Sequence, residues 1–126
     1  MTTVLDASAL LAFLLDEPGQ DQVDLVLSES VISGMNWSEV LQQLIKRGAE
    51  VAGCRTDLEA LGLSIVAFDA EAAEQAAQLW PHCRTYGLSL GDRACLALGI
   101  TLSVPILTAD RIWTEAYPEL PIRVIR

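Results

Sequence analysis

The chain has 126 residues, 52% of them hydrophobic and 20% charged, with 17 acidic against 8 basic side chains and a net charge of −9. That length suits one domain with one core, burying roughly two-thirds of the unfolded surface, and the composition excludes a disordered chain. The acidic balance runs against a general nucleic-acid binder, which shows a basic footprint, but not against clustered carboxylates that hold metal ions.

In chain order, Val4 and Leu5 end a short buried strand, and residues 7–15 form an apolar helix with Asp6 at the joint. Glu17-Pro18-Gly19 is a turn, residues 20–27 a short helix with Val23, Val26 and Leu27 inward, and Val31 and Ile32 a brief strand. Asn36 is expected to cap a long helix with Glu39 as its N3 partner. That helix buries Val40, Leu41, Leu44 and Ile45 on one face, and Gly48 ends it. Thr56 to Glu59 reads as a second capping box, with Gly62 closing its helix. Residues 64–68 form a strand, and Asp69 caps an Ala-rich helix packing through Ala73, Ala76, Ala77 and Trp80. Pro81 stops that helix and leaves His82 in a loop. Ser89 caps a helix over 90–102, residues 105–107 and 122–125 are strands, and 111–116 is a short helix. Strands alternating with helices predict an α/β fold, a three-layer α/β/α sandwich around a short, mostly parallel sheet of about five strands.

Cys54, Cys83 and Cys95 are odd in number and lack a C-x-x-C pair, which speaks against a disulfide framework or zinc site and fits a reducing compartment. They read as small buried hydrophobes. The single histidine, His82, removes His-based triads and multi-His metal sites. The longest uncharged run, 94–109, includes Gly99 and Pro105 and is shorter than the roughly 18 apolar residues of a membrane span. No secretory leader pattern opens the chain, so a cytoplasmic protein without a membrane segment is expected.

Four acids occupy comparable places. Asp6 and Asp110 follow strands, while Glu39 and Asp92 lie in first turns of helices. Each alone is explained as a cap or capping-box partner. Strand ends and helix starts share one edge of a parallel sheet, however, and there the four can converge. Such an all-oxygen set suits Mg²⁺ or Mn²⁺, which can generate hydroxide and stabilise an in-line phosphoryl displacement.

Val4-Leu5-Asp6-Ala7-Ser8-Ala9, Asn36-Trp37-Ser38-Glu39-Val40, Leu88-Ser89-Leu90-Gly91-Asp92-Arg93 and Leu107-Thr108-Ala109-Asp110 resemble, in order, the four motifs of PIN-domain nucleases. The resemblance spans residues 3–126, and Ala94-Cys95-Leu96-Ala97 and Trp113 resemble in particular bacterial VapC-type toxins of toxin–antitoxin pairs. It implies a Mg²⁺- or Mn²⁺-dependent endoribonuclease whose catalytic and metal-holding residues are Asp6, Glu39, Asp92 and Asp110. Asp6 and Asp92 would hold metal most directly. Ser8 and Thr108 match hydroxyl positions that orient carboxylates or waters, with local capping as the alternative. Arg93 and Arg111 follow site acids and are expected to contact RNA phosphates or to form ordinary ion pairs. The resemblance further implies a homodimer and a cognate VapB-like antitoxin whose C-terminal segment blocks the metal site. The alternatives are a PIN-domain RNA-processing nuclease and a non-catalytic PIN-like binding module. A phosphoacceptor or dehalogenase-like fold needs a lysine at the acids, and the only lysine, Lys46, is on a helix.

Overall fold

The computed structural model describes residues 1–126. Five strands, β1 (Thr3–Leu5), β2 (Ser30–Ser33), β3 (Ser64–Val66), β4 (Ile106–Thr108) and β5 (Ile122–Val124), form one sheet in the order β3-β2-β1-β4-β5. Every neighbouring pair is parallel. The helices are α1 (Ala7–Leu14), α2 (Gln20–Val26), α3 (Gly34–Lys46), α4 (Cys54–Ala60), α5 (Ala70–Gln78), α6 (Trp80–Cys83), α7 (Leu90–Leu102) and α8 (Ile112–Ala116). The expected α/β/α sandwich and its five strands are thus what the chain forms.

Strand residues alternate between faces, and this alternation builds two cores. Leu5, Ile32 and Leu107 pack with Leu10, Val23, Val40 and Leu58 from α1 to α4. Val4 and Ile106 pack on the other face with Cys95, Leu96, Trp113 and Tyr117. The chain adds β2 and β3 on one side of β1, then crosses to add β4 and β5 on the other. The order therefore reverses between β1 and β4, and in open parallel sheets the crevice beyond such a reversal is where ligands bind.

Several local expectations are corrected. The N-cap of α3 is Ser33, whose hydroxyl accepts from the Met35 amide, so Asn36 lies inside the first turn. A serine ending β2 reaches the free amides sooner than Asn36 can. Gly53, with φ +82°, precedes α4, and Thr56 sits within that helix rather than capping it. On α3, Ile45 is exposed and Leu41 half-buried, because the sheet covers only the stripe through Val40 and Leu44. Likewise on α5 only Ala76 is fully buried and Ala77 is exposed, while Trp80, expected on the same stripe, opens α6 and is exposed, with Arg84 stacked over it at 5.0 Å. α5 ends at Gln78, two residues before the expected Trp80, and Pro81 stands in the first turn of α6, where its missing N–H costs nothing. His82 is therefore helical, and its Nε2 bonds the Ala116 carbonyl at 2.6 Å. The strands at 64–66 and 122–124 are shorter than expected.

The caps at Asp69 and Ser89 form as read. Gly62, at φ +105°, closes α4 in the left-handed conformation a side chain would resist. No helix is long and apolar enough to cross a membrane.

Leu96 and Leu102 share α7 but not its surroundings: the first is fully buried against the sheet, the second 42% exposed. Leu96→Ala should lower unfolding free energy by roughly 2–5 kcal/mol, and Leu102→Ala by no more than about 0.5 kcal/mol. Urea unfolding measures both. Equal costs would contradict this placement of α7.

Candidate active site

Asp6 follows β1 at the reversal point and is 5% exposed. Its extended backbone makes it the N-cap of α1. Oδ1 accepts from Ser8 Oγ at 2.7 Å and the Ala9 amide at 2.8 Å, and Oδ2 accepts from Thr108 Oγ1 at 2.7 Å. Burial pushes the carboxyl up to about 6, against the pull of these three donors, and the Asp92 charge adds to the rise. Both hydroxyls also accept bonds of their own. Ser8 Oγ takes the Ala109 amide at 2.9 Å, and Thr108 Oγ1 takes the Asp110 amide at 3.1 Å. Ser8 and Thr108 thus tie Asp6 to the turn after β4.

Asp92 is the N3 residue of α7 and forms a complete capping box. The Ser89 amide donates to Asp92 Oδ2 at 2.8 Å, and the Asp92 amide donates to Ser89 Oγ at 3.2 Å. Burial raises this carboxyl above its ordinary range, the Ser89 bonds lower it, the Asp110 charge raises it and Arg93 lowers it. Glu39 projects from α3, its Oε1 accepting from Asn36 Nδ2 at 2.8 Å. Asp110 is exposed, and its Oδ1 accepts the Ile112 amide at 3.1 Å.

Asp6, Glu39, Asp92 and Asp110 line one cleft of about 310 Å³, together with Ala7, Ser8, Leu11, Asn36 and Gln43. No basic side chain is among its walls. Beneath it, the fully buried Cys95 thiol is pushed well above its usual range by burial and by the charges of Asp6, Asp92 and Glu39. The four acids therefore do converge, and each is also the cap or local acceptor that its own element supplies. As the side chains lie, no three close tightly enough on one point to grip an ion. Glu39, Asp92 and Asp110 are drawn toward donors on their own turns, and Asp6 toward its own turn and Thr108.

The two arginines differ. Arg93 is half-buried, its Nη1 donating to the Ala76 carbonyl of α5 at 2.9 Å and its Nε enclosed without a partner. It fastens α7 to α5. Arg111 is exposed and not among the cleft walls, with Nε donating to the Arg126 carbonyl at 3.3 Å.

Two polar wall residues had no site role in the sequence reading: Asn36, expected as a cap, and Gln43. Gln43 stands four residues after Glu39, one turn along the same helix face, and that spacing was the available signal. Other hollows lie elsewhere: an apolar one of about 220 Å³ between α5 and α7, and an acidic one of about 630 Å³ at the α1–α2 turn.

The PIN domain family model matches residues 3–117. The chain belongs to the PIN-domain family. Its fold is shared with a toxin–antitoxin complex from Klebsiella pneumoniae (TM-score 0.72, 20% identity, 98% of each chain covered). It is similarly shared with FitAcB from Neisseria gonorrhoeae (0.71, 19%, 95% of each) and with promoter-DNA-bound VapBC2 from Rickettsia felis (0.70, 18%, 98% of each). No curated protein matches the chain at a significant level.

Asp6 makes stability depend on pH. Its folded value of about 6 lies above 3.8, so its favourable contribution is complete below pH 3.8 and is lost as pH rises through 6. The difference corresponds to roughly 3 kcal/mol. Asp6→Asn removes that ionisation but leaves the Thr108 hydroxyl facing an amide. In metal-free buffer the mutant should therefore equal wild type or exceed it by about 1 kcal/mol at pH 7.5, and lose that standing at pH 4. Urea unfolding at the two pH values checks this. A mutant whose standing against wild type is no better at pH 7.5 than at pH 4 would contradict the buried-charge assignment.

Proposed function

We propose that this protein is a Mg²⁺- or Mn²⁺-dependent endoribonuclease, the toxin of a toxin–antitoxin pair, restrained by a VapB-like antitoxin. The observation that carries the reading is the meeting of four carboxylates from separate elements in one cleft at the sheet's reversal point. The donor set fits a hard divalent cation: every acidic wall group offers oxygen, and no fixed cation competes for the space. Asp6 and Asp92 would hold it most directly, with Glu39 and Asp110 completing the set or acting through water. When bound, the metal supplies an activated water and stabilises charge on a phosphodiester.

The chain's own groups do the positioning. Ser8 and Thr108 fix both oxygens of Asp6, and the Ser89 amide fixes Asp92. The raised values of Asp6 and Asp92 mark carboxyls that gain from a cation. Cys95, buried and held protonated, is no nucleophile. Arg111, exposed and next to Asp110 in the chain, would be the basic side chain to meet an RNA phosphate. Arg93, bound to Ala76, acts on Asp92 by its charge instead.

Support for the toxin role comes from the solved relatives of this fold, which include toxin–antitoxin complexes. The antitoxin's C-terminal segment would lie in the acidic cleft. A homodimer would use the exposed side of α5 and the start of α6, where Ala77 and Trp80 leave apolar surface.

Purified protein should cleave single-stranded or loop RNA with Mg²⁺ or Mn²⁺ and stop with EDTA, and Asp92→Asn should lower the rate by about 100-fold or more. Its expression in a bacterial host should arrest growth, relieved by the same substitution. Cleavage that survives rigorous chelation would overturn the metal reading, and growth unaffected by an active enzyme would overturn the toxin role.

A further inference from the structure

Asn36 is 1% exposed, on the first turn of α3, against the N-terminus of α7. Its Nδ2 donates to Glu39 Oε1 at 2.8 Å and to the Gly91 carbonyl at 2.9 Å. Both partners are acceptors, so the amide's orientation is fixed by chemistry. Its Oδ1 is buried without a protein donor. A side chain serving only to pack would be apolar here, since an orphaned buried acceptor is destabilising. The fold tolerates that orphan and keeps the two Nδ2 bonds. Gly91 completes the arrangement. A Cβ there would overlap the Glu39 carboxylate, with Oε1 only 2.6 Å away and Oε2 closer still. The carboxylate lies against a bare Cα, one residue before Asp92.

We propose that Asn36 is a positioning residue, which with Gly91 clamps the Glu39 carboxylate across the α3–α7 seam so that it faces the cleft beside Asp92. A free glutamate has three side-chain torsions, and its rotamer freedom costs free energy whenever it must be held for a ligand. Here the cost is met on folding. The clamp rests on the reading of the cleft as a metal site that includes Glu39.

The test is a double-mutant cycle on Mn²⁺ affinity, measured calorimetrically on RNA-free protein. Glu39→Ala and Asn36→Ala should each weaken binding by about 10-fold or more. On the Glu39→Ala background, Asn36→Ala should add less than about twofold, because its partner is gone. With RNA, Asn36→Ala should lower kcat and leave KM within about twofold. If Asn36→Ala does not fold, Gly91→Ala runs the same cycle, since its Cβ displaces the carboxylate from the other side. An effect of Glu39→Ala with none of Asn36→Ala, or with fully additive losses, overturns the clamp and leaves the metal reading standing. No effect of Glu39→Ala overturns the metal reading at Glu39 and the clamp with it.

Discussion

A carboxylate buried at the carboxyl end of the central strand is the constraint on which the rest of this structure depends. Asp6 is almost without solvent, and a charge there is tolerable only if its oxygens are met by donors. The donors come from α1 and from the end of β4. The bonds that satisfy Asp6 therefore also join the first and fourth strands at the point where the sheet reverses. Ser8 and Thr108 pass the connection on to the backbone of Ala109 and Asp110. One buried acid thereby sets the position of the turn that carries another.

The second half of the cleft comes from two helices rather than from strand ends. α3 and α7 approach closely because Gly91 offers no side chain where the Glu39 carboxylate lies. Asn36 bridges them by its amide. The result is an anionic cleft in an anionic protein, a poor receptor for RNA by itself. The proposed divalent cation would change that locally, lowering the repulsion among the acids and presenting positive charge to a phosphodiester. Under the proposed function, the net charge of −9 would be compatible with a nucleic-acid substrate because binding would be confined to one small, metal-bearing spot.

Much of the layout was legible in the sequence because hydrophobic runs and cap residues are local signals. Asp6, Asp69 and Ser89 with Asp92 announce helix starts through side chains that reach their own first turn. The four acids could be placed at one sheet edge by topology. What stayed hidden depends on neighbours distant in sequence. Asn36 looks like a cap, and its actual partner Gly91 lies 55 residues away. Arg93 looks like a phosphate ligand beside Asp92, yet α5 passes near enough to claim its guanidinium. Trp80 fits the stripe of the Ala-rich helix, but α5 ends at Gln78 and Trp80 opens α6 with its indole half exposed. Spacing cannot report such tertiary choices.

The central claim is that the cleft beside Asp6 binds a divalent metal, and anomalous diffraction from crystals grown with Mn²⁺ tests it most directly. The acidic hollow formed by Asp16, Glu17, Asp21 and Asp24 at the α1–α2 turn serves as an internal control, since it offers as many carboxylates, Glu17 among them paired with Arg47 and Arg126, without the Asp6 network. The account predicts an anomalous peak within the cleft, in contact with Asp6 and Asp92. A peak confined to the α1–α2 hollow, or a cleft without one at saturating Mn²⁺, would contradict it.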